Sequence, residues 1–229
     1  RLDRLVDSGT FDEIGGLVAA EEDGIGAGPA RTRSPADGVV VGTARIDGRP
    51  VVVFSQDFSV FGGSIGRLGS AKIQRALRLA IDRGVPLIMI LDGGGHRIQD
   101  GQDARHFANA NATFHNFARA SGWVPMVALM LGAGFAGPTN YAGTADFVVM
   151  VRGLSTMGIA GPALVKAATG EDIDGMALGG ADIQVDQQGI ADLGVASEDE
   201  ALAAARRFLS YLPSNARAAQ PLVEHPRPI

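Results

Sequence analysis

Residues 85–101 read VPLIMILDGGGHRIQDG. Val85 to Leu91 is an unbroken apolar run without the alternation of a half-exposed strand. A strand buried on both faces of a parallel sheet has this pattern. Gly93, Gly94 and Gly95 follow directly, and three glycines let a bulky ligand approach the backbone closely. The pattern repeats at VPMVALML (124–131), which runs into a second glycine loop, GAGFAGPTNYAGTAD (132–146). A third apolar strand, FVVMV (147–151), comes next.

Helical segments separate these strands. SAKIQRALRLAIDRG (70–84) places Ile73, Leu77, Ala80 and Ile81 on one face, with Gly84 as the stop. Periodicity predicts a further helix over roughly 102–121. Ser197 with Glu200 forms a capping box for a last helix, to about Leu212. Upstream, GVVVGTARIDGRPVVVFSQD (38–57) reads as a β-hairpin turning at Asp47-Gly48. A short amphipathic helix is expected within residues 1–14, and a Gly/Pro/Arg loop over 21–36. Strands alternating with helices imply an α/β fold with a mainly parallel sheet, which binds ligands at the carboxyl ends of its strands.

Composition narrows the function. A formal net charge of −5 argues against non-specific nucleic-acid binding. The chain has no cysteine, hence no disulfide and no thiolate zinc site, which fits a cytoplasmic protein. No apolar stretch approaches the roughly 20 residues of a membrane span. The chain opens at Arg1, as a segment of a longer protein does.

Gly132 to Gly137 match G-x-G-x-x-G, but the context of a dinucleotide loop is missing. Such a loop feeds a full crossover helix, and its acidic ribose ligand lies about 20 residues on, beyond a second strand. Here Asp146 comes only nine residues after Gly137 and before the next strand. No nicotinamide site is expected. A tight structural turn is one alternative. Another follows from Pro138, which suits a helix start and would set Gly137 at the N-terminus. A glycine turn aiming backbone N–H groups at an acyl oxygen is an oxyanion hole. In the first loop, Asp92, His96 and Asp100 match no metal-ligand spacing, and no metal is expected there.

These motifs resemble a known family. RLDRLVDSGTFDEI, QDFSVFGGSIGRLGSAKI, LDGGGHRIQDG, GAGFAGPTNYAGTADFVVMV, GPALVKAATGEDI, LGGADIQ and LSYLPSN are similar, in that order, to the N-terminal half of the carboxyltransferase (beta) subunit of biotin-dependent acyl-CoA carboxylases. The resemblance implies a crotonase (ClpP-like) fold of stacked ββα units. It implies a domain over 1–213, with the Pro-rich segment 214–229 as a linker or arm.

The resemblance also implies the site. The thioester oxygen would be held by backbone N–H groups of Ala136 and Gly137, at the position of the family's Gly-Gly pair, and of Gly94 and Gly95. The family's first loop, Ser-Gly-Gly-Ala-Arg-Ile-Gln-Glu-Gly, maps onto Gly93 to Gly101. There Gly94, Gly95, Arg97, Ile98 and Gln99 match, while Gly93, His96 and Asp100 depart. His96 is open to two readings, a contact to the substrate's acyl or carboxyl group and a packed loop residue. Asn140 stands where the family has Tyr. Lys72 and Arg75 are candidate cations for the CoA phosphates, with solvated surface charge as the alternative, and Arg97 would bind substrate or brace its loop. The implied chemistry is carboxyl transfer to acyl-CoA from carboxybiotin on a separate carrier protein, with biotin carboxylase and biotin carrier subunits as partners. A second crotonase-like half, fused or separate, would supply the biotin site, so an oligomer is expected. A decarboxylase of malonyl- or methylmalonyl-thioesters and a non-catalytic scaffold half are the alternatives.

Overall fold

The computed structural model describes residues 1–19, 34–97 and 111–221. Most of the loop expected over 21–36, residues 98–101 of the glycine motif, the first half of the helix expected over 102–121 and residues 222–229 of the expected linker or arm lie outside the described residues.

Seven strands form one sheet in sequential order: β1 (Asp12–Glu13), β2 (Val39–Ile46), β3 (Arg49–Gln56), β4 (Leu87–Leu91), β5 (Met126–Met130), β6 (Phe147–Val151) and β7 (Leu193–Val195). The first three are antiparallel, and β3 through β7 run parallel, with Val52 opposite Leu87 and Leu87 opposite Met126. The hairpin turn is at Asp47-Gly48, whose φ values of 51° and 77° are those of a type I′ turn.

The apolar runs follow from burial on both faces. Leu87, Met89 and Leu91 of β4 point toward α2 (Arg67–Arg83) and α3 (Asn111–Ala120), where they meet Ile73, Leu77, Ala80 and Phe117. Ile88 and Ile90 point the other way, onto Leu5 of α1 (Leu2–Leu5) and Leu202, Ala205 and Leu209 of α7 (Glu198–Ser210). Each such side chain, fully buried, contributes about 1.5–3 kcal/mol. Between β5 and β7 lie the shorter helices α4 (Gly137–Ala142), α5 (Pro162–Thr169) and α6 (Gly175–Gly179).

Helix ends behave as their residues require. Gly84 closes α2 in the left-handed region (φ 61°), its N–H reaching Ala80 and Ile81 carbonyls. Ser197 Oγ accepts the Glu200 N–H at the start of α7, while the Glu200 carboxylate takes the Ala196 N–H, one residue before the position of an ideal capping box. After α7 the chain docks back on the domain. Asn215 Nδ2 donates to the Gly84 carbonyl, Ala216 N–H to that of Trp123, and Arg217 lies over the Trp123 ring. Among the described residues no helix is long and apolar enough to cross a membrane.

Candidate functional site: two glycine loops at adjacent strand ends

Strands β4 and β5 are neighbours and parallel, so the segments leaving them, 92–97 and 131–136, emerge side by side. The Gly93 N–H donates to the Ala133 carbonyl at 2.5 Å, joining the loops. Several glycines are there because nothing larger fits. A Cβ on Gly132 would fall 1.9 Å from Asp92 Oδ1, and one on Gly134 would fall 2.7 Å from the Thr156 carbonyl. A Cβ on Gly93 would lie 2.4 Å from the Gly63 carbonyl. The G-x-G-x-x-G spacing is therefore explained by close packing at its first two glycines. Asp146 has a structural task as well: its carboxylate accepts the Met126 N–H at 2.8 Å and fixes the start of β5.

The four residues expected around the thioester are brought together, and their N–H groups divide into two kinds. Gly94 donates to the Gly62 carbonyl at 3.2 Å, and Ala136 to the Gly158 carbonyl at 2.8 Å. The N–H groups of Gly95 and Gly137 make no hydrogen bond among the described residues. They are neighbours across the two loops. A Cβ built on Gly95 would lie 3.3 Å from Gly137 N, and one on Gly137 3.5 Å from Gly95 Cα.

Ala136 carries backbone strain. Its φ of 64° and ψ of −114° belong to a region that favours glycine, and occupying it with a Cβ costs about 1–3 kcal/mol. The surroundings hold it there. Phe135 sits in a niche left by three glycines: a Cβ on Gly158, Gly161 or Gly175 would come within 3.0, 3.5 or 3.7 Å of its ring. Thr139 Oγ1 donates to the Gly134 carbonyl and accepts the Gly158 N–H. Ala136 is the residue just before α4, and Pro138 is in its first turn.

The first loop is held from below. Ile65 donates to the Gly95 carbonyl and accepts from Arg97, both at 2.9 Å, making a short parallel bridge to His96. Arg97 is buried. Its guanidinium pairs with Asp37 Oδ1 at 2.7 Å, donates to the Ser64 carbonyl and lies over Phe61. It therefore braces the segment leading into α2 rather than presenting a bare cation to solvent. Asp37, fully buried at φ 49°, also accepts the Gly69 N–H in the first turn of α2.

The remaining candidates are dispersed. Lys72 is 6% exposed, on the inner side of α2, and donates to the Ala36 carbonyl. Burial lowers its pKa, opposed by the charges of Glu13 and Asp37. The physical reason is helix periodicity: Lys72 adjoins Ile73 and Ala76 on the packed face, and Arg75 lies on the exposed one. Asn140 is half-buried in α4, its N–H bonded to the Ala136 carbonyl, and His96 is half-buried in the first loop.

Sequence reasoning missed Asp37, Phe135 and Thr139. Asp37 is 60 residues from Arg97, and nothing local links them. The only trace of the Phe135 niche is the glycines at 158, 161 and 175, which look like ordinary turn residues.

A mainly parallel sheet with two glycine loops laid together at adjacent strand ends defines a crotonase-like fold. The chain matches the family described as the Carboxyl transferase domain over residues 1–229, and it belongs to that family. It is 38% identical to the methylmalonyl-CoA decarboxylase subunit alpha of Veillonella parvula, over 98% of this chain and 43% of that one. It is 39% identical to the propionyl-CoA carboxylase beta chain of Saccharopolyspora erythraea, over 97% of this chain and 40% of that one. Among solved structures it superposes on the transcarboxylase 12S hexamer with methylmalonyl-coenzyme A and methylmalonic acid bound. There the TM-score is 0.86 at 36% identity, covering 93% of this chain and 41% of that one. The chain thus spans about two fifths of the length of these relatives.

Proposed function

We propose that this chain is the acyl-CoA-binding half of a biotin-dependent acyl-CoA carboxyltransferase. The single observation that carries the reading is the adjacency of two unspent backbone N–H groups, those of Gly95 and Gly137, on loops from neighbouring strand ends. An acyl thioester gains negative charge on its oxygen when the α-proton leaves, and two fixed N–H donors stabilise that charge without reorganising. Gly94 and Ala136 belong to the same site through their own hydrogen bonds, which set the direction of the free pair. His96, in the first loop, and Asn140, in α4, are the candidate contacts to the acyl group. Arg75, exposed on α2, is the remaining candidate for a CoA phosphate. The relatives named for propionyl-CoA and methylmalonyl-CoA support a short acyl chain.

Carboxybiotin, on a separate carrier protein, supplies the carboxyl group. This chain's residues bind the thioester, hold its oxygen and keep the α-carbon facing the donor. One pair of free N–H groups serves one ligand, so the biotin-facing site belongs to a second crotonase-like half, fused or separate. The short span relative to its relatives supports that division. So does α5, in which no residue is buried although Leu164 is 66% exposed; nearby Ile159 is 71% exposed. The second half would cover this face in an oligomer, and the segment 214–229 is read as a linker or arm whose beginning, Asn215 to Arg217, rests on the domain. Biotin carboxylase and the carrier complete the assembly. The likeness to a methylmalonyl-CoA decarboxylase subunit favours one second reading: the same pair of donors stabilises the enolate formed when a carboxylated thioester loses CO2.

The test uses the full-length protein with its second half. Acyl-CoA esters should raise Tm in proportion to RT ln(1 + [L]/Kd). Gly137→Pro removes one donor and should lower carboxyl transfer at least about a hundredfold. Unchanged turnover in a folded Gly137→Pro variant would sink the assignment.

A further inference from the structure

We infer that Thr139 is a positioning residue for the Gly137 N–H, acting through a neighbouring loop and not on substrate. Its hydroxyl donates to the Gly134 carbonyl and accepts the Gly158 N–H at 2.8 Å. The same residue, Gly158, accepts the Ala136 N–H on its carbonyl at 2.8 Å. One residue, Gly158, is therefore held by the glycine turn through both its N–H and its carbonyl. The carbonyl end takes Ala136, whose φ of 64° would otherwise relax, and the nitrogen end takes Thr139.

The consequence for Gly137 is geometric. Its N–H belongs to the peptide that begins at Ala136, so the direction of that N–H is set by ψ of Ala136. A residue in such a region persists only where its surroundings over-determine it. Phe135 in its glycine niche supplies one restraint, the Asn140 N–H on the Ala136 carbonyl a second, and the Gly158 carbonyl on the Ala136 N–H a third. The Thr139 hydroxyl accepts from Gly158 N while donating to Gly134 O with a single atom. Valine has the same branching and can do neither, so Thr139→Val frees the Gly158 loop, then Ala136, then the donor. The catalytic part of this inference rests on the proposed oxyanion role of Gly137; the restraint itself does not.

The experiment has two readouts on the full-length protein with its second half. In carboxyl transfer, Thr139→Val should lower kcat about tenfold or more with KM for the acyl-CoA nearly unchanged, because a small misalignment of a donor weakens the transition state more than substrate binding. Thr139→Ser restores the hydroxyl and should recover kcat to within about threefold of wild type. In hydrogen exchange, the Ala136 amide should exchange faster in Thr139→Val and at the wild-type rate in Thr139→Ser. A Thr139→Val protein with wild-type kcat overturns the positioning role in catalysis. Unchanged exchange at Ala136 overturns the restraint, whatever the reaction. A wild type without transfer or acyl-CoA binding, but with the exchange difference intact, overturns the reading of function alone and leaves the restraint standing.

Discussion

Gly95→Ala separates a packing effect from a catalytic one. The added methyl would lie 2.8 Å from Ala136 Cβ and 3.3 Å from Gly137 N. Apolar carbons rest about 3.5–4.0 Å apart, so the two loops must part by roughly 1 Å. Overpacking of this size costs about 1–3 kcal/mol, which for a protein of this length lowers Tm by about 2–4 °C per kcal/mol. The displacement falls between the two proposed donors. A 1 Å misplacement near the chemistry costs about a hundredfold in rate, so activity should fall much further than stability does. Gly94→Ala is the control for stability, since a Cβ there meets nothing within 4 Å among the described residues. Its unfolding free energy should stay within about 0.5 kcal/mol of wild type. The assay is carboxyl transfer by the full-length protein with its second half, beside denaturant unfolding of each variant. A Gly95→Ala protein within threefold of wild-type activity would refute the claim that the free N–H groups of Gly95 and Gly137 form one site.

Other outcomes follow from strain and burial. Ala136→Gly releases about 1–3 kcal/mol of backbone strain against about 0.5–1 kcal/mol of added chain entropy, so it should stabilise by about 1 kcal/mol in denaturant unfolding; a clear loss would show that φ of Ala136 is not strained. Tyr141, 4% exposed and stacked on Phe117, has its phenol pushed up to about 12 by burial. The folded pKa lies above the unfolded value of about 10, so its contribution is complete below pH ~10 and is lost as pH rises through about 12. Wild type should lose about 2 kcal/mol more than Tyr141→Phe between pH 9 and 12, and parallel stability curves would contradict this.

Much of the framework was legible from residue order alone. An apolar run such as Leu87–Leu91 satisfies both sheet faces only if helices cover both, and that requirement led to the parallel sheet. Asp47-Gly48 and Gly84 act through their own φ, so they announced a turn and a helix end without reference to the rest of the chain. The ordered motifs carried the family, and the family carried the expectation that Gly94, Gly95, Ala136 and Gly137 meet. What sequence order does not contain is which hydrogen bonds those four backbones have already used. Gly94 is bonded to Gly62 and Ala136 to Gly158, partners supplied by loops that only the packed sheet brings alongside. Lys72 shows the same limit: its type suggested a phosphate ligand, and the packing of α2 turned it inward onto the Ala36 carbonyl. Asp37 beneath Arg97, and Thr139 across from Gly158, join residues 60 and 19 positions apart. Local propensity and periodicity act over a few residues, so they decided the elements. The availability of a donor depends on every polar group within about 3 Å, and that neighbourhood was decided by tertiary structure.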